Sequence, residues 1–237
     1  MTEHRDPHEH DHSHPDVSGG WLRAAVFGAM DGLVSNISLI AGIGAAGAAP
    51  HTVVITGVAG LVAGSFSMAL GEFTSVKTQN EQVDAELDIE RAAHARNPEG
   101  EENELTVSFI EMGMSPRTAR TAAREVHRNH ELAPRLHITH ELGLDPLSKP
   151  SPWVAAVSSF AMFATGAFIP LIPYALGFNE LALGLAVGGV GLLVAGALTA
   201  RYTRRAWWRS ALRQLIFGAI AVGATYLVGM LFGVGAR

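Results

Sequence analysis

The chain has 237 residues, of which 48% are hydrophobic and 16% charged, and it contains no cysteine. The charged fraction lies well below the roughly 25% of an ordinary soluble domain, which is typical of a membrane protein. Without cysteine there are no disulfides and no thiolate ligands, so a metal site would use Asp, Glu, His or Met.

The charged side chains are concentrated in one region. Residues 72–149 hold 15 of the 22 acidic side chains but 9 of the 17 basic ones, a formal net charge of −6. This acidic balance favours cations as partners and disfavours nucleic acid. The distribution predicts one acidic soluble insert flanked by membrane spans.

The first twenty residues are polar and rich in histidine. They include His4, His8, His10, His12 and His14. Such a tract is typical of a metal-binding or metal-buffering tail, and a disordered tail or a partial tag explains it nearly as well. It lacks the short basic segment, apolar core and cleavage site of a secretory signal, so we expect the first span to remain in the mature protein.

Five segments are apolar over about 20 residues, the length that crosses a bilayer as a helix. They cover residues 22–46, 52–76, 152–174, 178–200 and 210–233. A short turn joins the first two segments into a helical hairpin, and another joins the third and fourth. The sequence predicts an all-α membrane protein with five transmembrane helices and a helical cytoplasmic domain inserted between spans two and three.

The arginines after span four set the expected orientation. The loop RYTRRAWWRSALR carries five arginines, whereas the turns at 47–51 and 175–180 carry no Lys or Arg. Because cationic loops stay in the cytoplasm, the N-terminus and the insert are expected there, with the C-terminus outside.

The insert is predicted to be helical rather than a linker. Span two continues as a run of good helix formers as far as Pro98, and Ser115 with Pro116 has the cap-and-proline pattern of a helix start. Further helices are predicted at 99–112 and 134–142. The chain thus divides into a disordered tail, a first hairpin, a cytoplasmic acidic metal-binding domain and spans three to five, at residues 1–20, 21–76, 77–150 and 151–237.

Asp31 lies near the middle of span one, where a charge costs roughly 2.5–3.5 kcal/mol on the insertion scale. On a helix it shares a face with Ser35, Ser38 and Gly42. Ionisable residues inside spans usually mark an ion pathway. The alternative is a buried structural carboxylate, bonded to a helix end or to Arg23.

Span two carries a matching face, with small and polar residues at four-residue steps: Gly60, Gly64, Met68 and Glu72. The glycines allow close helix approach. The thioether and carboxylate, together with Asp31 and Ser35 of span one, are suitable transient ligands for a borderline ion such as Fe²⁺. Taken alone, Met68 is more often a packing residue.

Carboxylates and imidazoles recur at helical spacing in the insert. The sets are Glu86, Glu90 and His94; Glu101 and Glu104; and His137 and Glu141. Each set alone is more often a solvated helix face, but three of them in one acidic domain favour an oxygen and nitrogen site for divalent first-row metals. Surface positions are predicted for His127 and His130.

Several motifs resemble the vacuolar iron transporter family, in the same order and with compatible spacing from Trp21 onward. They are MDGLVSNISLIAGIGAAG, GSFSMALGEFTSVKTQ, the run PEGEENEL that begins at Pro98, HELGL and GAFIPLIPY. The resemblance implies a homodimer of five-span subunits that moves Fe²⁺, and often Mn²⁺, out of the cytosol in exchange for protons. The ion path would lie at the dimer interface and be lined by first-span residues.

The resemblance also implies roles for single residues. Asp31 and Met68 would take part in translocation. Four glutamates would collect metal in the cytoplasmic domain: Glu90, Glu101, Glu104 and Glu141.

The chain departs from the family pattern at a few positions. Ala93 replaces a glutamate, with His94 beside it, and Gly20 stands where some members have an entry-side glutamate. His137 and Ile138 replace a methionine pair, and bacterial-type members often have a histidine there. The histidine-rich start and compact loops favour a bacterial member, in the plasma membrane rather than in a vacuole.

The sequence therefore predicts a divalent metal/proton antiporter without a prosthetic group, in which the insert passes Fe²⁺ or Mn²⁺ to Asp31, Met68 and Glu72. Membrane lipid and a second subunit are the other expected partners. The alternative is a membrane-anchored metal sensor or scaffold without transport. A membrane-bound di-iron oxidase is disfavoured, because such sites use Glu-x-x-His on two helices and the chain has this spacing only from Glu9 to His12.

Overall fold

The computed structural model describes residues 21–141, 143, 146–203 and 206–234, without the side chains of residues 141, 201–203 and 234. Throughout these ranges the regular secondary structure is helical. The predicted histidine-rich tail, residues 1–20, lies outside the described residues, as do Arg204 and Arg205 of the loop after span four.

The first two spans form an antiparallel hairpin. Helix α1 covers Trp21–Ala45 and helix α2 covers Pro50–Arg96. The turn between them holds Gly47 at a φ of 83°, a left-handed conformation that glycine adopts at little cost. Helix α2 has 47 residues and is about 70 Å long at 1.5 Å per residue. It therefore leaves the membrane and continues into the insert, as the sequence predicts.

The insert forms three shorter helices, which are α3 (Pro98–Glu111), α4 (Pro116–His127) and α5 (Leu132–Glu141). Side-chain oxygens cap the first two helices, because the first N–H groups of a helix lack partners within it. The Asn97 side chain accepts a hydrogen bond from Gly100 N at 3.2 Å, and Ser115 Oγ accepts one from Thr118 N at 3.3 Å. The predicted start at Ser115 and Pro116 is confirmed.

A small apolar core holds the insert together. Leu105 and Phe109 of α3 pack against Ala119 and Ala123 of α4, and Leu136 of α5 joins them. Helix α5 also packs along α2. The C-terminal half of α2 thus supports α3 and α5 directly, and α4 packs on those two helices.

Span three is not one uniform helix. Helix α6 covers Pro152–Phe168, a 3₁₀ turn covers Ile169–Leu171, and helix α7 covers Ile172–Ala175. Pro170 and Pro173 lack a backbone N–H, so the regular hydrogen-bond pattern of an α-helix is interrupted at this end of the span.

Helices α8 (Leu181–Thr203) and α9 (Trp207–Val234) complete the bundle. Helix α1 lies at its centre, in contact with α2, α6, α8 and α9. Within the described ranges, five helical stretches are long and apolar enough to cross a membrane. The predicted all-α fold with five spans is confirmed.

Close approach of α1 and α6 fixes the centre of this bundle. A Cβ atom on Gly32 would lie 2.2 Å from the carbonyl oxygen of Phe163, and one on Gly166 would lie 2.1 Å from that of Ala29. Gly64 of α2 similarly admits the Phe163 ring, whose Cζ would lie 2.2 Å from an added Cβ. Backbone contact of this kind is how small residues drive helix association in membranes.

We expect Gly166→Ala to lower the apparent melting temperature of the detergent-purified protein by several degrees, because the added methyl group must separate α6 from α1. Overpacking of this kind costs about 1–3 kcal/mol. The matched control is Gly223→Ala in α9, where a Cβ meets nothing within 4 Å. A Gly166→Ala protein that melts no lower than the Gly223→Ala protein would contradict the packing argument.

Candidate metal-binding and translocation sites

An ion pair joins α1 and α2 near the predicted cytoplasmic end of the hairpin. Arg23 Nη2 bonds to Glu72 Oε1, and the Glu72 side chain is 11% exposed whereas that of Arg23 is 66% exposed. Farther along the hairpin, Gly60 of α2 faces Asn36 of α1. The sequence left open a pairing of Arg23 with Asp31. In the structure, Arg23 pairs with Glu72 instead.

The Arg23–Glu72 ion pair and the Gly60–Asn36 contact fix the positions of the remaining polar groups along the axis of the hairpin. Met68 is four residues from Glu72, and Asp31 is eight residues from Arg23. At 1.5 Å per residue, Met68 lies about 6 Å and Asp31 about 12 Å beyond the ion pair. The predicted donors therefore follow one another along the membrane axis, from Glu72 through Met68 to Asp31.

The Asp31 side chain is half-buried, and Ser35, one turn farther along α1, is exposed. The Oδ1 atom of Asp31 accepts a hydrogen bond from Ser35 Oγ at 3.3 Å. The predicted polar stripe divides here, because Ser38 is buried and Gly42 packs beside Thr225 of α9. Asp31 and Ser35 thus share one open face, whereas the rest of the stripe faces the interior of the bundle.

Four of the predicted insert residues meet in one group, which we call the cytoplasmic cluster: Glu90, His94, Glu101 and His137. One donor atom from each lies within 4.8 Å of the others. Glu90 Oε1 lies 3.3 Å from His94 Nε2 and 3.3 Å from His137 Nδ1. Glu101 Oε2 lies 3.7 Å from His137 Nδ1. The cluster draws on α2, α3 and α5.

Burial shapes the protonation of this cluster. The His137 side chain is 1% exposed, and those of the other three members are between 12% and 16% exposed. Burial, with smaller contributions from His94, His127 and His140, lowers the pKa of His137 to about 4. Burial, followed by His127 and His130, also lowers the pKa of His94. Both rings favour the neutral form at pH 7, which keeps a nitrogen lone pair for a metal.

The sequence pattern is right about His130, which is exposed, but wrong about His127 as a surface residue. The His127 ring is half-buried, with its centroid 4.9 Å from that of His94 and 5.5 Å from that of His137. The missed signal is its spacing, since His127 follows the buried Ala119 and Ala123 at four-residue steps on one face of α4.

Three predicted insert ligands are not part of the group. Glu86 is half-buried one turn before Glu90, and Glu104 is exposed on α3, three residues beyond Glu101. The side chain of Glu141 lies outside the described residues. Of the two α3 glutamates that the sequence predicts as ligands, Glu101 and Glu104, the structure therefore brings only Glu101 to the histidines.

Two carboxylates and two imidazoles on three helices form a donor set suited to a divalent first-row metal. Glu90 is 18 residues from Glu72 on the same helix, about 27 Å along its axis. The cytoplasmic cluster and the Glu72 carboxylate are therefore two separate candidate sites, connected by α2.

The chain is similar to several known proteins over most of its length. The chain is 38% identical to a vacuolar iron transporter of Acanthamoeba castellanii, over 90% of this chain and 79% of that protein. It is 36% identical to vacuolar iron transporter homolog 1 of Oryza sativa subsp. japonica, over 90% of this chain and 74% of that protein. It is 27% identical to vacuolar iron transporter 1 of Arabidopsis thaliana, over 89% of this chain and 85% of that protein.

The family model described as the VIT family matches residues 22–230, which include all five spans and the insert between them. The relatives named above are transporters, not enzymes. With its five apolar helices and this match over most of its length, the chain belongs to the VIT family of membrane transporters.

Proposed function

We propose that the protein exports divalent metal, Fe²⁺ and also Mn²⁺, from the cytosol in exchange for protons. The observation that carries this proposal is the pair of metal-suited sites on α2, one in the insert and one in the membrane hairpin. Relatives such as the Acanthamoeba castellanii protein are named as iron transporters. The same oxygen, nitrogen and thioether donors suit Fe²⁺, and the carboxylates also suit Mn²⁺.

In this proposal the cytoplasmic cluster collects the metal. Residues 72–149, which contain nearly all of the insert, have a net charge of −6, which raises the local concentration of cations. The arginine-rich loop after span four supports a cytoplasmic position for the insert and the N-terminus, with the C-terminus outside. The histidine-rich start and the compact loops favour the plasma membrane of a bacterium as the membrane.

Entry into the membrane requires exchange at Glu72. The Arg23 side chain neutralises this carboxylate, so an arriving metal ion must displace a tethered cation before it binds. Farther in, Asp31 has Ser35 as its hydrogen-bond partner, and a hydroxyl brings no charge. A carboxylate in a low-dielectric region needs a cation or a proton to neutralise it, so metal binding and proton binding compete there. That competition is the physical basis for antiport.

A second subunit would cover the open face that carries Asp31. An ionised carboxylate facing lipid is costly, and such groups almost always face a bundle interior or a water-filled cavity. On α2, an exposed row of small residues recurs at four-residue steps, consisting of Ala59, Ala63, Ser67 and Gly71. Rows of this kind allow close helix contact between subunits. We therefore place the dimer interface at the outward faces of α1 and α2.

Reconstituted protein should take up Fe²⁺ into liposomes with proton movement in the opposite direction. Asp31→Asn should lower the rate at least tenfold, because an amide neither exchanges a proton nor neutralises a cation. The control is Asp88→Asn, which makes the same change at an exposed position of α2. Undiminished transport by the Asp31→Asn protein would contradict this mechanism. Metal binding without flux through the wild-type protein would instead favour a sensor or scaffold.

Two glutamates of α3, Glu101 and Glu104, provide a matched test of the cytoplasmic cluster. We expect Glu101→Gln to weaken Mn²⁺ binding to the metal-stripped full-length protein at least tenfold, because it removes a charged ligand. Glu104→Gln should change the affinity less than twofold, since Glu104 lies outside the cluster. Isothermal titration calorimetry measures both constants. Equal losses in the two variants would mean that the metal-bound site is not the one described.

The dimer interface can be tested because the wild-type chain has no cysteine. Mild oxidation of Ser67→Cys protein in membranes should give a disulfide-linked dimer on a non-reducing gel, since the row on α2 would meet its copy. Ala219→Cys should stay monomeric, because Ala219 is exposed on α9, which is not one of the two helices that form the proposed interface. Cross-linking at Ala219 and not at Ser67 would place the interface elsewhere.

A further inference from the structure

Three histidines from three different helices meet in the insert, and two of them, His94 and His137, also lie beside Glu90. They are His94 of α2, His127 of α4 and His137 of α5, and we call them the three-histidine set. One ring nitrogen from each lies within 4.8 Å of the others. The ring centroids of His94 and His137 are 4.6 Å apart. Two members also belong to the cytoplasmic cluster, and His127 is the new one.

The orientation of His127 suits a metal ligand. Its Nδ1 atom lies 2.9 Å from the carbonyl oxygen of Ala123, which can only accept, so Nδ1 carries the proton and donates. This contact leaves the lone pair on Nε2, an atom that is buried and has no hydrogen-bond partner within the described part of the chain. A metal-binding imidazole is usually held in this way, with its other nitrogen donating to a carbonyl or carboxylate.

We propose that the three-histidine set binds a nitrogen-preferring ion such as Zn²⁺ or Co²⁺, as a site distinct in composition from the cytoplasmic cluster. Three imidazoles with one open position are a common tetrahedral set for Zn²⁺. A cavity of about 750 Å³ borders both His94 and His127. This proposal concerns binding in the insert and does not depend on transport.

The two donor sets cannot be filled independently. They share His94 and His137, so an ion held by one set removes ligands from the other. The cytoplasmic cluster ties α2 and α5 to α3 through Glu101, whereas the three-histidine set ties them to α4 through His127. Imidazole nitrogen favours Zn²⁺ and Co²⁺, and carboxylate oxygen favours Mn²⁺. Zn²⁺ should therefore act as a competitor that keeps Mn²⁺ from the cluster.

Co²⁺ is the probe, because its visible absorption reports the geometry of its ligands. The measurement uses full-length, metal-stripped protein in detergent, titrated with Co²⁺ and then with Zn²⁺ as competitor. A tail with five histidines would give a background signal. In every protein compared, glutamine therefore replaces the tail histidines, which are His4, His8, His10, His12 and His14.

We expect His127→Ala to weaken Co²⁺ and Zn²⁺ binding at least tenfold and to remove the intense absorption of a four-coordinate Co²⁺ site. Mn²⁺ affinity should change less than twofold, which also shows that the insert remains folded. His130→Ala is the matched control, since it removes an exposed histidine three residues farther along. Its Co²⁺ titration should equal that of the parent protein.

Two results would overturn the proposal. Unchanged Co²⁺ affinity in His127→Ala would show that His127 is not a ligand. Equal losses of Co²⁺ and Mn²⁺ affinity would show that His127 supports the fold of the cytoplasmic cluster rather than a second donor set. A second variant, His127→Gln, keeps a polar side chain at the buried position and should give the same selective loss of Co²⁺ binding.

Discussion

The unbroken backbone hydrogen bonding of α2 is the constraint on which the rest of the structure depends. One helix of 47 residues holds Glu72 and the insert residues Glu90 and His94 at a fixed separation and rotation. Glu72 and Glu90 therefore cannot move relative to each other without bending or breaking the helix. Helices α3 and α5 pack on the part of α2 that carries Glu90, and α1 is tied to α2 by Arg23. In the proposed function, metal passes between the two candidate sites along this helix.

The carboxylates of the membrane hairpin and those of the insert have different neighbours that can neutralise their charge. In the membrane hairpin, Glu72 is neutralised by Arg23, whereas Asp31 has a neutral hydroxyl partner. In the insert, Glu90 and Glu101 lie beside His137, a ring that burial keeps neutral. Carboxylates with neutral partners remain available for a cation, so the sites that bind metal most readily are those without a tethered positive charge.

Histidine gives the insert a different metal chemistry from that of a carboxylate site. Neutral imidazoles bind borderline ions, and carboxylates bind harder ones. His94 and His137 stand at the junction of an oxygen-rich set and a nitrogen-only set. In the two proposed donor sets, the identity of the remaining donors, and not the number of acidic residues in the insert, would decide which ion is bound.

Hydropathy and helical periodicity were enough to predict the five spans, the extension of span two and the helix that starts at Ser115, because these features depend on neighbours along the chain. The positions of Asp31, Glu90 and His94 on helix faces followed from the same local rule. The sequence alone did not show that Glu101, and not Glu104, lies beside the histidines.

The tertiary structure decided which of these faces meet. It paired Arg23 with Glu72, turned Ser38 away from Asp31, and brought His127 to the other histidines. These outcomes depend on how far each helix is rotated about its axis and how closely helices approach. Rotation and approach are set by packing between segments distant in sequence, such as Gly32 against Phe163. A local pattern carries no information about that contact, and so the residues of the chain determined the helices while their packing determined the sites.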